Sequence, residues 1–310
     1  MTASRAYNPG VLPSGRRLAL ALTADGEVDL VRCLVETLGG VVDRVVVVEG
    51  RTTFHGDRRD VLGGQWARLL GVPESLFRSI VIELPPRGAT GVGLRRRELI
   101  QRSAIALGVR DLAADDLVLA VDSDEFVDPD WLVAHEADIH NPTRLLLIPM
   151  FGALDRRAAD WHCCRDHLTL TPGVWPTPDN GFLFPGGVIG PVGDLAGRGT
   201  HDWRGHPVRS LGPAGWHLLH MLPADDDPAR KHARQAHDWD ERADTSHMRR
   251  ALRLGVHPYG WWSAFEMEVP ARLRFVADRH PQAVLGPLPR AADREATLRR
   301  WWAAFADDVG

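Results

Sequence analysis

Short apolar runs separated by polar stretches dominate the first half of the chain. The runs are LALAL at 18–22, RVVVV at 44–48, SIVIEL at 79–84, LVLAV at 117–121 and RLLLIPM at 144–150. Continuous apolar runs of this length are typical of strands that are buried on both faces of a parallel sheet. We therefore expect a buried strand at each run.

Helical periodicity fills the intervals between some of these runs. Segment 27–38 carries apolar residues on one helical face, and Gly39-Gly40 follows as a stop signal. Segment 94–108 is also typical of a helix. Alternating strands and helices predict an α/β fold with a mostly parallel central sheet and helices on both faces.

Polar residues stand where several of the predicted strands end. Thr23, Glu49 and Asp122 each follow an apolar run directly. Ligands of open α/β sheets bind outside the carboxyl ends of the strands. The pattern therefore predicts a ligand site at this edge of the sheet.

The second half of the chain differs from the first in amino-acid composition. Residues 171–215 are dense in proline and glycine but contain several aromatic side chains, which argue against disorder. We expect an irregular binding segment with short strands there. Apolar GWHLLHM begins at 215, a charged helix is expected around 226–254, and an amphipathic helix around 291–306.

Composition narrows the class of protein. The 310 residues carry a net charge of −4 with a pI of about 6.4, so no global basic surface for nucleic acid is expected. Three cysteines do not make a disulfide framework and favour a reducing compartment. The chain lacks a secretory signal and any apolar run of about 20 residues, so we expect a cytoplasmic protein without a transmembrane segment.

The segment LVLAVDSDEFVDPDWL at 117–132 is the richest in candidate chemistry. Asp122 and Asp124 directly follow an apolar strand and, being two residues apart, can meet one divalent cation such as Mg²⁺ or Mn²⁺. The alternative is a solvated acidic loop that caps a helix at Asp128 or Asp130. The position at the end of a buried strand favours the metal site, and Asp128 and Asp130 are expected to start the next helix.

Two metal chemistries compete for this motif. Phosphoryl transfer with Asp122 as nucleophile resembles the haloacid dehalogenase superfamily, but Phe126 stands where that family has Thr or Val, and Lys231 is the sole lysine. A nucleotide-sugar transferase, in which D-x-D holds the metal against a diphosphate, fits better because the preceding helix supplies Arg95–Arg97 and Arg102. A non-catalytic sugar- or metal-binding module on the same fold is the remaining alternative.

Four segments resemble glycosyltransferase family 17, the family of β-1,4-mannosyl-glycoprotein 4-β-N-acetylglucosaminyltransferase, and would make the chain a bacterial-type member. They are DRVVVVEGRTTFHGDRRDVL at 43–62, RRRELIQRSAIALGV at 95–109, DDLVLAVDSDEFVDP at 115–129, and AGWHLLHM at 214–221 followed by KHARQAHDWD at 231–240. The resemblance implies a GT-A type nucleotide-sugar-binding fold, dependence on Mn²⁺ or Mg²⁺, inverting transfer and UDP-GlcNAc as the default donor.

The resemblance also implies roles at the metal and the donor. Asp124 would bind the metal, and Asp122 would bind the metal or the ribose. His217 would complete the metal shell, or else it is a hydrogen-bonded core histidine. Glu125 would contact sugar hydroxyls or serve as a hydrogen-bond partner of the site.

Further donor-binding residues are expected along the strand ends and beyond. Thr23 lies at the end of the first strand, and Glu49 would hydrogen-bond to the nucleotide or, alternatively, cap a neighbouring segment. Arg102 would neutralise the diphosphate, whereas at least two of Arg95–Arg97 are expected on a solvated face. Lys231 would line the diphosphate or acceptor side.

The general base is left open between two residues of the irregular half, Asp179 and Asp238. These assignments divide the chain into a flexible arm (1–15) and a single GT-A-like catalytic domain (16–310). Within the domain, 16–150 would bind the nucleotide sugar, 151–270 would form an irregular acceptor region and 271–310 a helical tail. The family's animal members carry a membrane anchor that this sequence lacks, so a glycan, lipid-linked sugar or small molecule is the expected acceptor.

Overall fold

The computed structural model describes residue 10 and residues 12–86, 93–151, 154–158, 183–196, 199–205, 207–219, 264–266, 268–281 and 284. The described residues fall into two compact units. The first unit holds those up to Ile148 together with Leu183–His217, and the second holds the rest. The single domain expected over 16–310 stays a prediction.

The described strands are β1 (Leu18–Thr23), β2 (Arg44–Gly50), β3 (Phe77–Ile82), β4 (Leu117–Val121), β5 (Glu125–Val127), β6 (Thr143–Phe151), β7 (Arg156–Ala158), β8 (Phe184–Pro191), β9 (Arg209–Leu211), β10 (Gly215–Leu219) and β11 (Ala264–Glu266). The described helices are α1 (Val28–Leu38), α2 (Gln65–Leu70), α3 (Leu94–Ser103), α4 (Ile105–Val109), α5 (Pro129–His135), α6 (Thr200–Gly205) and α7 (Arg274–Arg279). Short 3₁₀ turns cover Glu74–Leu76, Glu136–Asp138, Val192–Ala196 and Ala271–Leu273.

The sheet of the first unit has the strand order β6-β8-β4-β1-β2-β3. The neighbours β3-β2, β2-β1 and β1-β4 are parallel, whereas β8 is antiparallel to both β4 and β6. Strand β9 adds a parallel edge to β6, and β10 pairs antiparallel with β5. The prediction of an α/β fold with a mostly parallel central sheet is confirmed.

The second unit is described by a smaller set of elements. Strands β7 and β11 pair antiparallel, and Met150 of β6 pairs with Arg157 of β7. The expected helices at 226–254 and 291–306 lie outside the described residues.

Each of the five apolar runs is a strand, with ends shifted by at most two residues from the sequence prediction. The run predicted at 79–84 forms β3 at Phe77–Ile82, since Pro85 and Pro86 follow it. Every residue of β2 and β4 is buried, as expected for strands covered on both faces.

The helix expected over 94–108 is two helices, α3 and α4, separated at Ala104. The backbone N–H groups of Ala104 and Leu107 bond to the carbonyl oxygens three residues earlier, which tightens the chain there. The two helices bury different surfaces. The buried side chains of α3 are mostly polar, whereas Ile105 and Val109 of α4 pack in an apolar cluster against the sheet.

The segment 171–215 was expected to be irregular with short strands, and its described part contains β8, an eight-residue strand inside the sheet. The sequence FPGGVIGP has the glycines and prolines that usually break strands. The glycines are required because neighbouring strands leave no room for a side chain. An added Cβ at Gly187 would lie 2.5 Å from Val121 Cγ1, and one at Gly186 would lie 2.4 Å from Leu147 Cδ1.

Helices lie on both faces of this sheet. Alternate residues of β1 and β2 pack with α4 and with Trp203 of α6 on one face. The crossovers β1–α1–β2 and β3–α3–α4–β4 run in opposite directions along the sheet, so right-handed connections place α1 on the other face. The strand order reverses between β1 and β4, and the crevice at their carboxyl ends is the expected ligand position.

Part of the expected flexible arm is attached to the first unit. Leu12 is buried, and the Ser14 hydroxyl donates a hydrogen bond of 2.6 Å to Oε2 of Glu136, which also forms an ion pair with Arg16. In the described part of the chain, none of the helices has the length and apolar character required to cross a bilayer.

Candidate functional site

A tight acidic turn follows β4. The backbone N–H of Glu125 bonds to the Asp122 carbonyl oxygen at 3.0 Å, and the backbone N–H of Asp122 bonds to Oε2 of Glu125 at 2.8 Å. Strand β5 begins at Glu125 and pairs with β10, which places His217 opposite Glu125. The end of a buried strand thus joins residues of the acidic motif to the histidine of the GWH segment.

Asp122 is held by arginines on both carboxylate oxygens. Arg102 Nη2 lies 2.7 Å from Oδ1, and Arg204 Nη1 lies 3.1 Å from Oδ2. Burial alone would raise the pKa of Asp122, but the charges of Arg102 and Arg204 outweigh it and lower the pKa. The carboxylate is therefore ionised and engaged, and this geometry gives no support to Asp122 as a free nucleophile.

Glu125 is the most deeply buried carboxylate of the turn, with 1% of its surface exposed. Its Oε2 lies 2.5 Å from Arg204 Nη2. Burial raises the pKa of Glu125; the charge of Arg204 opposes this increase, while the nearby charge of Asp122 adds to it. The contacts of Glu125 match the expected alternative of a hydrogen-bond partner within the site.

Helix α3 extends this cluster into a chain of alternating charges. Glu98 Oε1 lies 2.9 Å from Arg102 Nε, and Glu98 Oε2 lies 2.8 Å from Arg95 Nη1, at the i,i+4 and i,i+3 spacings of a helix. Burial alone would raise the pKa of Glu98, but the charges of Arg102 and Arg95 outweigh this effect, so the pKa is lowered. Arg102, expected to neutralise a diphosphate, is engaged by Glu98 and Asp122, which raise its pKa although burial lowers it.

The other polar residues of α3 attach the helix to the ends of the strands. Gln101 donates to the Val48 carbonyl at 2.9 Å, and Arg97 donates to Thr52 Oγ1 and the Thr53 carbonyl. Arg95 and Arg96 are exposed, as expected for two of the three consecutive arginines, whereas Arg97 is buried. The helix therefore fixes the loop after β2 and the acidic turn after β4 relative to each other.

Asp124 and His217 form a second pair beside the turn. His217 Nε2 lies 3.5 Å from Asp124 Oδ1, and the imidazole packs on the Phe184 ring with centroids 4.1 Å apart. His217 is buried, and its Nδ1 has no hydrogen-bond partner among the described residues. The carboxylate of this pair is a ligand that suits Mn²⁺ or Mg²⁺, whereas an imidazole is a more usual ligand of the later transition metals.

Within the described residues, no group of three or more His, Cys, Asp or Glu side chains is arranged to hold a metal ion. The expected ligand set of Asp122, Asp124 and His217 is thus represented by the Asp124–His217 pair, with Asp122 turned to the arginines. Mg²⁺ commonly uses one or two carboxylates and takes its other ligands from substrate phosphates and water. Two protein ligands are therefore compatible with a cation that arrives with a phosphate-bearing substrate.

The strand ends of β1 and β2 carry the other donor-binding candidates. Glu49 accepts backbone hydrogen bonds from Leu62 at 3.1 Å and Gly63 at 2.8 Å, which is the capping alternative of the sequence analysis. Thr23 ends β1 and is half-buried at the same edge. Contacts of either residue with a nucleotide stay predictions.

Three candidates lie outside the described residues: Asp179, Asp238 and Lys231. Asp128 behaves as predicted, since its side chain accepts the backbone N–H of Asp130 at 3.0 Å and caps α5, with Pro129 at the first helical position.

Arg204 is the site residue that the sequence analysis missed. It lies in α6, inside the segment rich in proline and glycine, and it follows Trp203, which is fully buried. The sequence signal for Arg204 was its neighbour Trp203. A buried tryptophan anchors a short helix in the core and so fixes the position of the arginine next to it. Its partner Asp122 lies 82 residues away in the chain, so no local pattern links the two.

Comparison with known proteins assigns no family. No protein-family model matches the chain, and a search of curated proteins finds no match. The resemblance to glycosyltransferase family 17 has no support from these comparisons.

Solved structures provide distant likenesses. A 4-diphosphocytidyl-2C-methyl-D-erythritol synthase is 15% identical with a TM-score of 0.38, over 68% of this chain and 95% of that chain. Glucosyl-3-phosphoglycerate synthase from Mycobacterium tuberculosis, in complex with Mn²⁺, uridine diphosphate and phosphoglyceric acid, is 15% identical with a TM-score of 0.37, over 83% of this chain and 88% of that chain. At these values the likenesses assign no activity to this chain.

Proposed function

We propose that this protein is a metal-dependent inverting glycosyltransferase of the GT-A type that uses a nucleotide-sugar donor. The observation that carries the proposal is the Asp124–His217 pair beside the acidic turn, at the carboxyl end of β4 where the strand order reverses. A cation ligand pair at this edge suits a diphosphate-containing substrate better than a neutral one.

Asp124 and His217 would hold Mn²⁺ or Mg²⁺, with Asp122 as the further ligand expected from the sequence. When bound, such a cation stabilises negative charge on a diphosphate leaving group. Arg102 holds Asp122 in place through its ion pair, and Glu98 fixes Arg102 in turn. The chain thus presents a rigid set of ligands, which is what catalysis by orientation requires.

A carboxylate of this chain would accept the proton of the acceptor hydroxyl, a contribution of about 10²–10⁴-fold in rate. Asp179 and Asp238 remain the proposed candidates for this base. The hydrogen bonds of Glu125 in the described residues fall on Oε2. Contact of Glu125 with sugar hydroxyls is a proposal that rests on the sequence resemblance.

The finer assignments rest on the sequence resemblance alone. They are N-acetylglucosamine as the transferred sugar, UDP-GlcNAc as the donor, and a glycan, lipid-linked sugar or small molecule as the acceptor. A cytoplasmic location and Lys231 at the diphosphate or acceptor side are proposals of the same kind.

A non-catalytic binding module is the second candidate, and one observation favours it. Asp122 and Glu125 are already paired with arginines, so the acidic turn has its charges offset without a metal. Such a module would bind a glycan without using a nucleotide sugar.

Calorimetry with a panel of nucleotide sugars, with and without Mn²⁺, distinguishes the two. The enzyme binds one donor in a Mn²⁺-dependent manner and hydrolyses it slowly, whereas the module binds glycan alone. Asp124→Ala should weaken Mn²⁺ binding by at least about tenfold, on the scale of lost ligand support at metal sites. Asp115→Ala, at an exposed residue before β4, is the matched control and should bind as the wild type does.

The glycosyltransferase proposal is wrong if Asp124→Ala retains both donor turnover and its metal dependence. It is equally wrong if no nucleotide sugar of the panel binds.

A further inference from the structure

Arg204 connects the two carboxylates at the centre of the acidic turn. Its Nη1 lies 3.1 Å from Asp122 Oδ2, and its Nη2 lies 2.5 Å from Glu125 Oε2. Two carboxylates this close repel each other, and a planar guanidinium can bond to both at once. Arg204 therefore offsets the charge of both carboxylates, as a cation placed between them would.

Arg102 also contacts Asp122, but it is less exposed than Arg204. The Arg102 side chain is 9% exposed and is bonded to Glu98 as well as to Asp122. Its backbone carbonyl accepts the Thr200 hydroxyl at 3.2 Å, which attaches it to the start of α6. The Arg204 side chain is 20% exposed and lies in the last turn of the same short helix. Of the two arginines, Arg204 has the more exposed side chain.

A second cation lies close to Arg204. Arg144 of β6 is 6% exposed, and no ion pair to it is found in the part of the chain that the structure describes. Burial lowers the pKa of Arg144, and the charge of Arg204 lowers it further, so the two guanidinium groups repel each other.

We propose that Arg204 is the resident counter-ion of Asp122 and Glu125, and that a divalent cation displaces it so that it pairs with the diphosphate of the donor. This inference rests on the proposed glycosyltransferase function. A cation held by Asp124 and His217 would repel Arg204 and, with Asp122 as its further ligand, would compete with Arg204 for that carboxylate. A diphosphate supplies several oxygens that accept charge-assisted hydrogen bonds from Arg204.

The exchange has a distinctive consequence, because removing Arg204 acts in opposite directions on the two ligands. The cation no longer competes with a guanidinium, so it binds more tightly in the absence of nucleotide. The diphosphate loses a partner, so it binds more weakly in the presence of the cation. A residue that merely supports the fold would weaken both.

The test is calorimetry on the full chain, first with MnCl₂ alone and then with uridine diphosphate at saturating Mn²⁺. Arg204→Gln should bind Mn²⁺ about tenfold more tightly and uridine diphosphate about tenfold more weakly, within the usual range of coupling between sites. Arg110→Gln removes an exposed arginine at the end of α4 and should match the wild type for both ligands.

Arg204→Lys covers the case in which Arg204→Gln does not fold, since it keeps the positive charge but loses the planar fork that bridges two carboxylates. It should shift both affinities in the same two directions by a smaller factor. The role of Arg204 is overturned if the variants bind Mn²⁺ no more tightly than the wild type. It is also overturned if they bind uridine diphosphate no more weakly. A wild type that binds neither Mn²⁺ nor uridine diphosphate overturns the proposed function as well.

Discussion

The carboxylates around the acidic turn differ in neighbours, and for Asp122 and Glu125 the pKa shifts therefore run in opposite directions. Asp122 lies between two arginines and its pKa is lowered, whereas Glu125 is so deeply buried that its pKa is raised despite Arg204. Asp124 faces His217, and Asp128 caps a helix. Like residue types a few positions apart therefore have separate roles, which are set by burial and by distance to a cation.

Glu98 provides a pH-dependent test of the ion-pair chain. Its pKa in the folded protein is lowered from 4.5, so its contribution to stability is present above that value and is lost as the pH falls through the folded-state pKa. Glu98→Gln should lower the free energy of unfolding at pH 7 by about 1.5–3 kcal/mol, the contribution of a hydrogen bond to a charged group. Urea unfolding at pH 7 and near pH 4 should show a smaller acid-induced loss in the variant.

The control for this experiment is Glu83→Gln, which removes an exposed carboxylate paired with the exposed Arg51. It should change stability little at either pH. An equal acid-induced loss in the wild type and in Glu98→Gln would contradict the predicted contribution of Glu98.

At the scale of elements, α3 and β8 both have residues that are unusual for a helix and for a strand, and both lie beside the site. Helix α3 buries Arg97, Glu98, Gln101 and Arg102, the reverse of an ordinary amphipathic helix. Strand β8 carries glycines at positions where a side chain would collide with β4 or β6. In both elements, contacts with neighbouring elements determine which residues are buried. These contacts override the local preferences for helix amphipathicity and for strand-forming residues.

Gly187 tests this view of β8. An added Cβ would lie 2.7 Å from the Ala120 carbonyl oxygen and 3.3 Å from Glu125 Oε2. Gly187→Ala should therefore destabilise the protein by about 1–3 kcal/mol through overpacking, measured as a lower urea midpoint. Gly64→Ala is the control: its φ is −63° and an added Cβ meets nothing within 4 Å, so it should be neutral or slightly stabilising. A Gly187→Ala midpoint equal to that of the control would refute the close packing around β8.

At the scale of the whole molecule, the described site residues all belong to the first unit. Binding there should stabilise the native protein by linkage. Mn²⁺ at about 100 times its dissociation constant should add about 2.7 kcal/mol to the free energy of unfolding. Uridine diphosphate at about 100 times its dissociation constant for the Mn²⁺-bound protein should add about as much again. Thermal unfolding should show the increase, EDTA should reverse the part due to the cation, and Asp124→Ala should show little of it. An unfolding temperature that stays constant at saturating ligand would contradict the assignment of the site.

Much of the fold was predictable from local sequence alone. The apolar runs of β1, β2 and β4 indicate buried strands because each residue of such a run must leave water, whatever its partners are. The Asp128–Pro129 start of α5 is predictable for a similar reason, since a cap bonds to its own helix. The acidic motif at the end of β4 was likewise visible as a candidate site.

The tertiary structure alone decided how the charges of that motif are offset. Arg204 reaches Asp122 across 82 residues of sequence, and β8 enters the sheet from a segment with the composition of a loop. Ion pairing and close packing depend on distances in space, which sequence neighbours do not determine. The sequence thus specified where the carboxylates stand, and the fold determined that arginines, together with His217, surround them.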